Sequence, residues 1–186
     1  GFSIAAFGIA MPILFTGELG IGTIAACVLF VIYGLRLGGY LLIREVKSIS
    51  YRDTMKKEIK DGSTMKMVAK MSIWISCAFL YVLQVSPVLY RLENQSNTDT
   101  VCIIGVVIMA CGIILESLSD MQKSNAKAKN PKRFCDEGLY KIVRCPNYLG
   151  EVIFWTGVFV SGITALNSVW QWLAAISGYV CIVYIM

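Results

Sequence analysis

The sequence predicts an all-α protein, a polytopic transmembrane helical bundle. Three observations lead there. Apolar residues make up 56% of the chain and its mean hydropathy is +0.65, well above a typical soluble domain. Apolar runs close to the length of about 20 residues needed to cross a bilayer recur along the chain. Charge is confined: of seventeen Lys/Arg, seven lie between Arg44 and Lys66 and seven between Lys123 and Arg144. The recurrence of the runs disfavours a greasy soluble bundle. The period-two alternation of a membrane barrel is missing.

About six spans are expected in one integral membrane domain covering 1–186, at 2–15, 19–43, 67–90, 101–118, 148–163 and 169–186. The first is short, carries Pro12, and is expected to be the remnant of a longer span. The segments 44–66 and 119–147 are expected as loops that together hold fourteen Lys/Arg, whereas 16–18, 91–100 and 164–168 hold one. This alternation, read with the positive-inside rule, places the basic loops in the cytoplasm of a multi-pass protein. Membrane lipids are the expected surroundings, membrane proteins are candidate partners, and nucleic acid is not an expected one.

The chain has no His, which removes the commonest general base and metal ligand. Cys27, Cys77, Cys102, Cys111 and Cys181 sit in apolar runs, where Cys behaves as a small hydrophobe. Cys135 and Cys145 lack Cys-x-x-Cys spacing, so neither a zinc site nor a disulfide is expected. Nucleophile and P-loop motifs are missing, as is the Gly-x-Gly-x-x-Gly turn of a soluble dinucleotide fold.

Arg36 lies inside an apolar run, where a lipid-facing guanidinium costs about 2.5–3.5 kcal/mol. Tyr33, Arg36 and Tyr40 share one helical face, which Arg44 extends. Two readings stand: a polar pocket entered from the cytoplasmic side, with Gly34, Gly38 and Gly39 allowing close approach, or Arg36 snorkelling to the interface. Glu116 and Asp120 share a face at the expected C-terminal end of the fourth span, where carboxylates oppose the helix macrodipole. They call for partners, either basic loops or ribose and amide groups, or they mark a solvated helix end. The run from Lys123 through Lys127 to Arg133 holds five basic residues and no acid, suiting lipid headgroups or phosphates. In 134–151, Gly138 and Pro146 punctuate the backbone, and Pro146 suits a first helical turn. Asn147 then sits where free N–H groups meet an anion. Glu151, at the start of an apolar run, needs a hydrogen-bonding partner.

The segment 134–157, FCDEGLYKIVRCPNYLGEVIFWTG, resembles the C-terminal signature of the steroid 5α-reductase-like membrane reductases. Its likeness is to the bacterial and eukaryotic branch with "F…GLW…RHPNYFGE…W.G". The stretch 116–123 is similar to that branch's "E..AD.QK", and 33–44 to its "GLRL..YLL.R". Three motifs in order over about 120 residues make the resemblance specific; isoprenylcysteine methyltransferases share only the shorter Arg-x-Pro-x-Tyr-x-Gly pattern.

The resemblance implies a bundle that binds NADPH at its cytoplasmic side and reduces an activated C=C bond in a lipid-like or steroid-like enone. Tyr33 takes the place of the catalytic tyrosine. Arg36 and Arg44 fall where the family lines its cofactor pocket. Asp120, Lys123, Lys127 and Arg133 would face ribose and phosphates, and Asn147 the nicotinamide amide, with Glu151 just behind. Glu116, Tyr140, Arg144 and Tyr148 complete the implied cofactor-binding set. The chain departs from the pattern at several points. Cys145 replaces the usual His, and Glu116 stands where steroid enzymes often have Asn. Glu18 lies too close to Tyr33 to serve as the catalytic glutamate. Both ends look truncated relative to the family. Two alternatives therefore accompany the reductase: a non-catalytic structural subunit of a membrane assembly, and an S-adenosylmethionine-dependent methyltransferase.

Overall fold

The computed structural model describes residues 1–15, 17, 19–47, 66–130 and 133–186, apart from the side chains of Arg44, Glu45 and Lys47. Glu18 and most of the basic stretch 44–66 lie outside the described residues. Within them the chain forms six α-helices and no strand. The helices are α1 (Phe2–Leu14), α2 (Ile21–Lys47), α3 (Met67–Glu93), α4 (Thr100–Lys129), α5 (Pro146–Gly162) and α6 (Val169–Ile185). Gly138–Lys141 and Ile163–Ala165 are single 3₁₀ turns.

The assembly is a helical membrane bundle. Four helical segments (Ile21–Ile43, Met67–Glu93, Thr100–Lys129 and Pro146–Ala165) are long and apolar enough to cross a bilayer, while α1 and α6 are shorter apolar helices. Large apolar side chains such as Ile21, Val68, Trp74, Ile75 and Trp170 stand exposed on the outside, a surface suited to lipid and unlike that of a soluble monomer.

One boundary differs from the sequence reading. The stretch after 118 was expected as loop, but α4 continues to Lys129, and at 30 residues it is about 45 Å long. It therefore outruns the roughly 30 Å hydrocarbon layer. Two features sustain it. Asp99 caps its N-terminus by accepting the Cys102 amide at 2.8 Å, and Lys127 and Lys129 stand in its last turn, where cations complement the macrodipole. Glu116 and Asp120 thus lie in the body of the helix, and the end effect invoked for them does not operate. Pro146 occupies the first turn of α5, as its chemistry predicts.

Glycines set the closest packing. A Cβ on Gly150 would come within 2.7 Å of the Glu116 amide nitrogen, and one on Gly157 within 2.5 Å of the Met109 amide nitrogen. From the other side, a Cβ on Gly112 would meet the Phe154 amide nitrogen at 2.5 Å and one on Gly105 the Ser161 amide nitrogen at 2.3 Å. So α4 and α5 run antiparallel with backbones nearly touching, a contact that only small residues permit. Gly162 against Pro87 and Gly178 against the Leu83 carbonyl dock α3 on α5 and α6 in the same way.

The end opposite the basic stretches is tied by Arg91, whose side chain is 1% exposed. It donates to the Ser161 carbonyl at 2.9 Å, Thr164 Oγ1 at 3.0 Å and Asp99 Oδ2 at 2.8 Å, and also to the Asn97 carbonyl. Thr164 Oγ1 donates to Asp99 Oδ2 at 2.6 Å, closing the network. Burial pushes the Asp99 carboxyl up, but Thr164, the Cys102 amide and Arg91 outweigh it and hold it at about 2, below its ordinary 3.8.

Two predictions follow from this packing. Gly157→Ala, which drives a Cβ into the α4 backbone, costs about 1–3 kcal/mol in detergent unfolding. Gly39→Ala, whose Cβ meets nothing within 4 Å, is neutral or slightly stabilising. Asp99 has a lowered folded value, so its stabilisation is complete above pH 4 and is lost as pH falls toward 2. Thermal unfolding from pH 5 to pH 2 should show a steeper decline for the wild type than for Asp99→Asn.

Candidate functional site

Tyr33 is fully buried at the middle of α2. Its ring stacks on Phe154 with centroids 4.0 Å apart and planes within 6°, and meets the edge of Trp155 at 6.0 Å. Phe30 closes the aromatic box against Phe154 and Trp155. Offset and edge packing of this kind fixes ring orientation, so the Tyr33 hydroxyl has a defined direction. It points toward the Glu151 carboxylate, as does the Trp155 indole N–H. Both approach that carboxylate at a geometry looser than a full hydrogen bond.

One turn further along α2, Arg36 turns inward to α4. Its Nη2 donates to Asp120 Oδ2 at 2.5 Å, and its Nη1 lies 2.8 Å from Glu116 Oε1. The second approach is close but not aligned as a hydrogen bond, leaving Nη1 and Glu116 Oε2 buried without a hydrogen-bonding partner among the described residues. Of the two readings of Arg36, the interior one describes the structure. Glu116 and Asp120, paired with Arg36, are not a solvated helix end. The shallow approach of α4 to α5 at Gly150 brings Glu151 into the same group, so three carboxylates face one guanidinium.

Below this cluster, toward the basic end, opens a cleft of about 340 Å³ lined by Arg36, Tyr40, Ser117, Asp120, Ser124 and Asn125. Residues 117, 120, 124 and 125 recur on one α4 face, a periodicity visible in the sequence once the helix is known to continue past 118. A loop is folded near the cleft by Gln122, whose Oε1 accepts the Leu139 amide at 2.9 Å. Gly138 adopts φ +61°, open to glycine at low cost, and a Cβ there would strike the Gln122 side chain. The resulting 3₁₀ turn buries Tyr140. Burial first, then the negative charge of Asp120, pushes its hydroxyl up to about 12, so it stays a neutral donor. It too lacks a hydrogen-bonding partner among the described residues.

The remaining sequence candidates fall at the periphery. Asn147 is half-buried in the first turn of α5, one turn before Glu151. Lys123 is half-buried on α4. Lys127 is exposed and donates to the Arg133 carbonyl at 2.9 Å, while Arg133 pairs with Asp136 at 2.8 Å. Arg144 and Tyr148 are exposed. Arg44 lies on α2, and its side chain is outside the described residues. The structure therefore brings together Tyr33, Arg36, Glu116, Asp120 and Glu151, with Asn147 and Tyr140 nearby, and sets the remaining cations apart from that cluster. The sequence reading missed the Phe30–Phe154–Trp155 box and the loop-holding Gln122. Aromatics in an apolar run carry no signal beyond core packing, and nothing in the sequence marks Gln122 as facing Gly138.

The cluster makes a mutational prediction. Arg36→Met leaves Glu116 and Asp120 uncompensated and costs about 3 kcal/mol. Adding Glu116→Gln restores part of that loss, because it removes one of the stranded charges. Thermal unfolding of both single variants and the double variant reads the coupling; additive losses would rule out the ion pair as described.

No curated protein and no solved structure matches the chain. Residues 2–186 match the membrane family described as "Protein of unknown function (DUF1295)". With nearly the whole length matched, the chain belongs to the DUF1295 family.

Proposed function

We propose that the chain is a membrane-embedded NADPH-dependent reductase of an activated C=C bond in a lipid-like enone, with its basic end in the cytoplasm. One observation carries the reading: Glu116 Oε2 and the Tyr33 and Tyr140 hydroxyls are buried and make no full hydrogen bond with a described residue. They lie near Arg36 and Asp120, which line a cleft opening toward the basic end. Buried polar groups are rarely left unpaired, and this set suits a ligand with amide, hydroxyl and carbonyl groups. The finer likeness of the sequence motifs to steroid 5α-reductase-like enzymes supports the same reading.

The deep end and the rim divide the work. Arg36 is held by two carboxylates, so the deep end offers acceptors for ribose hydroxyl and amide N–H groups rather than a free cation for phosphate. Phosphate charge belongs at the basic end, where Lys123 and Arg144 stand. Asn147 is positioned for an amide contact. When bound, NADPH supplies the hydride delivered to the β-carbon of the enone. Tyr33 holds its hydroxyl proton against the substrate carbonyl oxygen, stabilising negative charge as it develops there. Phe154 keeps the phenol in place by stacking. The α-carbon takes its proton from water reaching the cleft, giving the saturated ketone.

Purified protein in lipid nanodiscs should quench its tryptophan fluorescence on NADPH titration, and S-adenosylmethionine should not reproduce the effect. Asn147→Ala should weaken NADPH binding about tenfold. Tyr33→Phe should keep binding but slow reduction of an apolar enone probe by about 100-fold or more. A folded wild type that ignores NADPH would end the reductase reading and leave the non-catalytic subunit.

A further inference from the structure

The loop between α4 and α5 carries a surface outside the cleft. Its base is tied down: Gln122 Oε1 accepts the Leu139 amide at 2.9 Å, and Cys135, Tyr140 and Pro146 are buried. Between the last two, four consecutive residues, Lys141, Ile142, Val143 and Arg144, all stand exposed. Ile142 is 81% exposed, an unusual state for a large apolar side chain outside the spans. Neither Lys141 nor Arg144 makes an ion pair or a side-chain hydrogen bond with a described residue. The two acids of the loop, Asp136 and Glu137, act on Arg133, which pairs with Asp136 at 2.8 Å. Asp136 reaches Lys141 only at longer range.

Two independent rulers put this tip at headgroup level. The first is α4, which starts at Thr100 beside the Arg91–Asp99 network of the opposite end. Gln122 lies about 33 Å along the axis from there, just past the roughly 30 Å hydrocarbon layer. The turn that Gln122 holds therefore lies where hydrocarbon gives way to headgroups. The second is α5, whose apolar span begins at Pro146. Val143 is close before it in the chain, within about 11 Å even if fully extended.

We propose that Lys141–Arg144 is a docking tip for the anionic headgroup layer of the surrounding bilayer. Lys141 and Arg144 meet the phosphates of an acidic phospholipid, and Ile142 and Val143 sit just below them, at the start of the acyl chains. The residue order supports this partner. Two cations flanking two branched apolar side chains match a surface that is charged above and apolar below. A soluble phosphate engages the cations but gains nothing from the apolar pair, whereas a phospholipid takes both. The pair also continues an apolar surface that already faces lipid, since Tyr148 and Leu149 are exposed in the first turn of α5. Docking steadies the loop that sets Tyr140 near Asp120. It is independent of the reductase reading. Where a cofactor phosphate takes Arg144, Lys141 and the apolar pair still hold the lipid.

The test uses the full chain in nanodiscs with two photoreactive lipids, a phosphatidylglycerol and a phosphatidylcholine, each with a diazirine at the start of one acyl chain. Labelling is mapped by mass spectrometry to the peptide containing residues 134–149. Each cation near an anionic surface favours it about fivefold, so the wild type should show a phosphatidylglycerol preference of about 25-fold. Lys141→Gln should lower the preference to about fivefold, and the double variant Lys141→Gln/Arg144→Gln should abolish it. Ile142→Ser should lower labelling by both lipids. All three residues are exposed, so thermal unfolding should not change. Equal labelling of the wild type by both lipids, no labelling by either, or a preference that survives the double variant overturns the docking tip. So does competition by inorganic phosphate as effective as that by unlabelled phosphatidylglycerol, which would assign the cations to a soluble anion. Lys141→Gln should leave the NADPH response of the same nanodiscs intact, so the two readings fail separately.

Discussion

The near-contact of the α4 and α5 backbones is the constraint on which the rest depends. Lipid offers no hydrophobic drive for helices to associate, so close van der Waals packing has to supply the force. Gly105 and Gly112 on one helix and Gly150 and Gly157 on the other remove the side chains that would keep the axes apart. The same approach sets Glu116 against Gly150 and hence next to Glu151. Packing and site chemistry are therefore one feature. The stripe that joins the two helices also concentrates their carboxylates where α2 can meet them with Arg36.

That concentration explains why Arg36 is tolerated within the bundle. A lone guanidinium in the apolar layer is expensive, and so is a lone carboxylate. Together Arg36, Glu116 and Asp120 offset much of each other's desolvation, but the pairing is not complete. One oxygen of Glu116 and one nitrogen of Arg36 remain without a hydrogen bond within the described residues. A stabilising triad alone gains nothing from such loose ends, because each stranded buried polar atom costs free energy. A binding site gains from them, because they are the atoms a ligand can reach. At the opposite end Arg91 makes four hydrogen bonds at its two terminal nitrogens, while its Nε makes none with a described residue.

Much of this was legible in the sequence. Apolar runs and the confinement of Lys/Arg gave the helical membrane class. The spacing of Tyr33 and Arg36, and of Glu116 and Asp120, placed each pair on one face. What stayed hidden is tertiary. Periodicity says which residues share a helix face but not which helix that face meets, so the Arg36 partners emerged only with the α2–α4 contact. The end of α4 was misplaced because hydropathy falls at 119, where the helix leaves the apolar layer, and polarity there was read as loop. Helix propensity and the lysines of the last turn were the better signals.

The polar atoms of the bundle interior form a graded series along its depth. At the basic rim stand cations; next come the Asp120 cleft and the buried Tyr140 hydroxyl; then Arg36 with its carboxylates; and last Tyr33 in its aromatic box beside Glu151. Charge falls along that path from exposed cations through buried paired ions to the neutral aromatic box. Each step suits the local dielectric, since solvation of an ion weakens faster with depth than that of an amide or hydroxyl. A ligand lying along it would need an anionic end at the rim and a neutral, weakly polar end at depth. Either a single amphiphile or a polar cofactor meeting an apolar substrate satisfies that demand. The aromatic box around Tyr33 stands at the point where the two halves of such a pair would meet, and the Tyr33 hydroxyl there points toward Glu151.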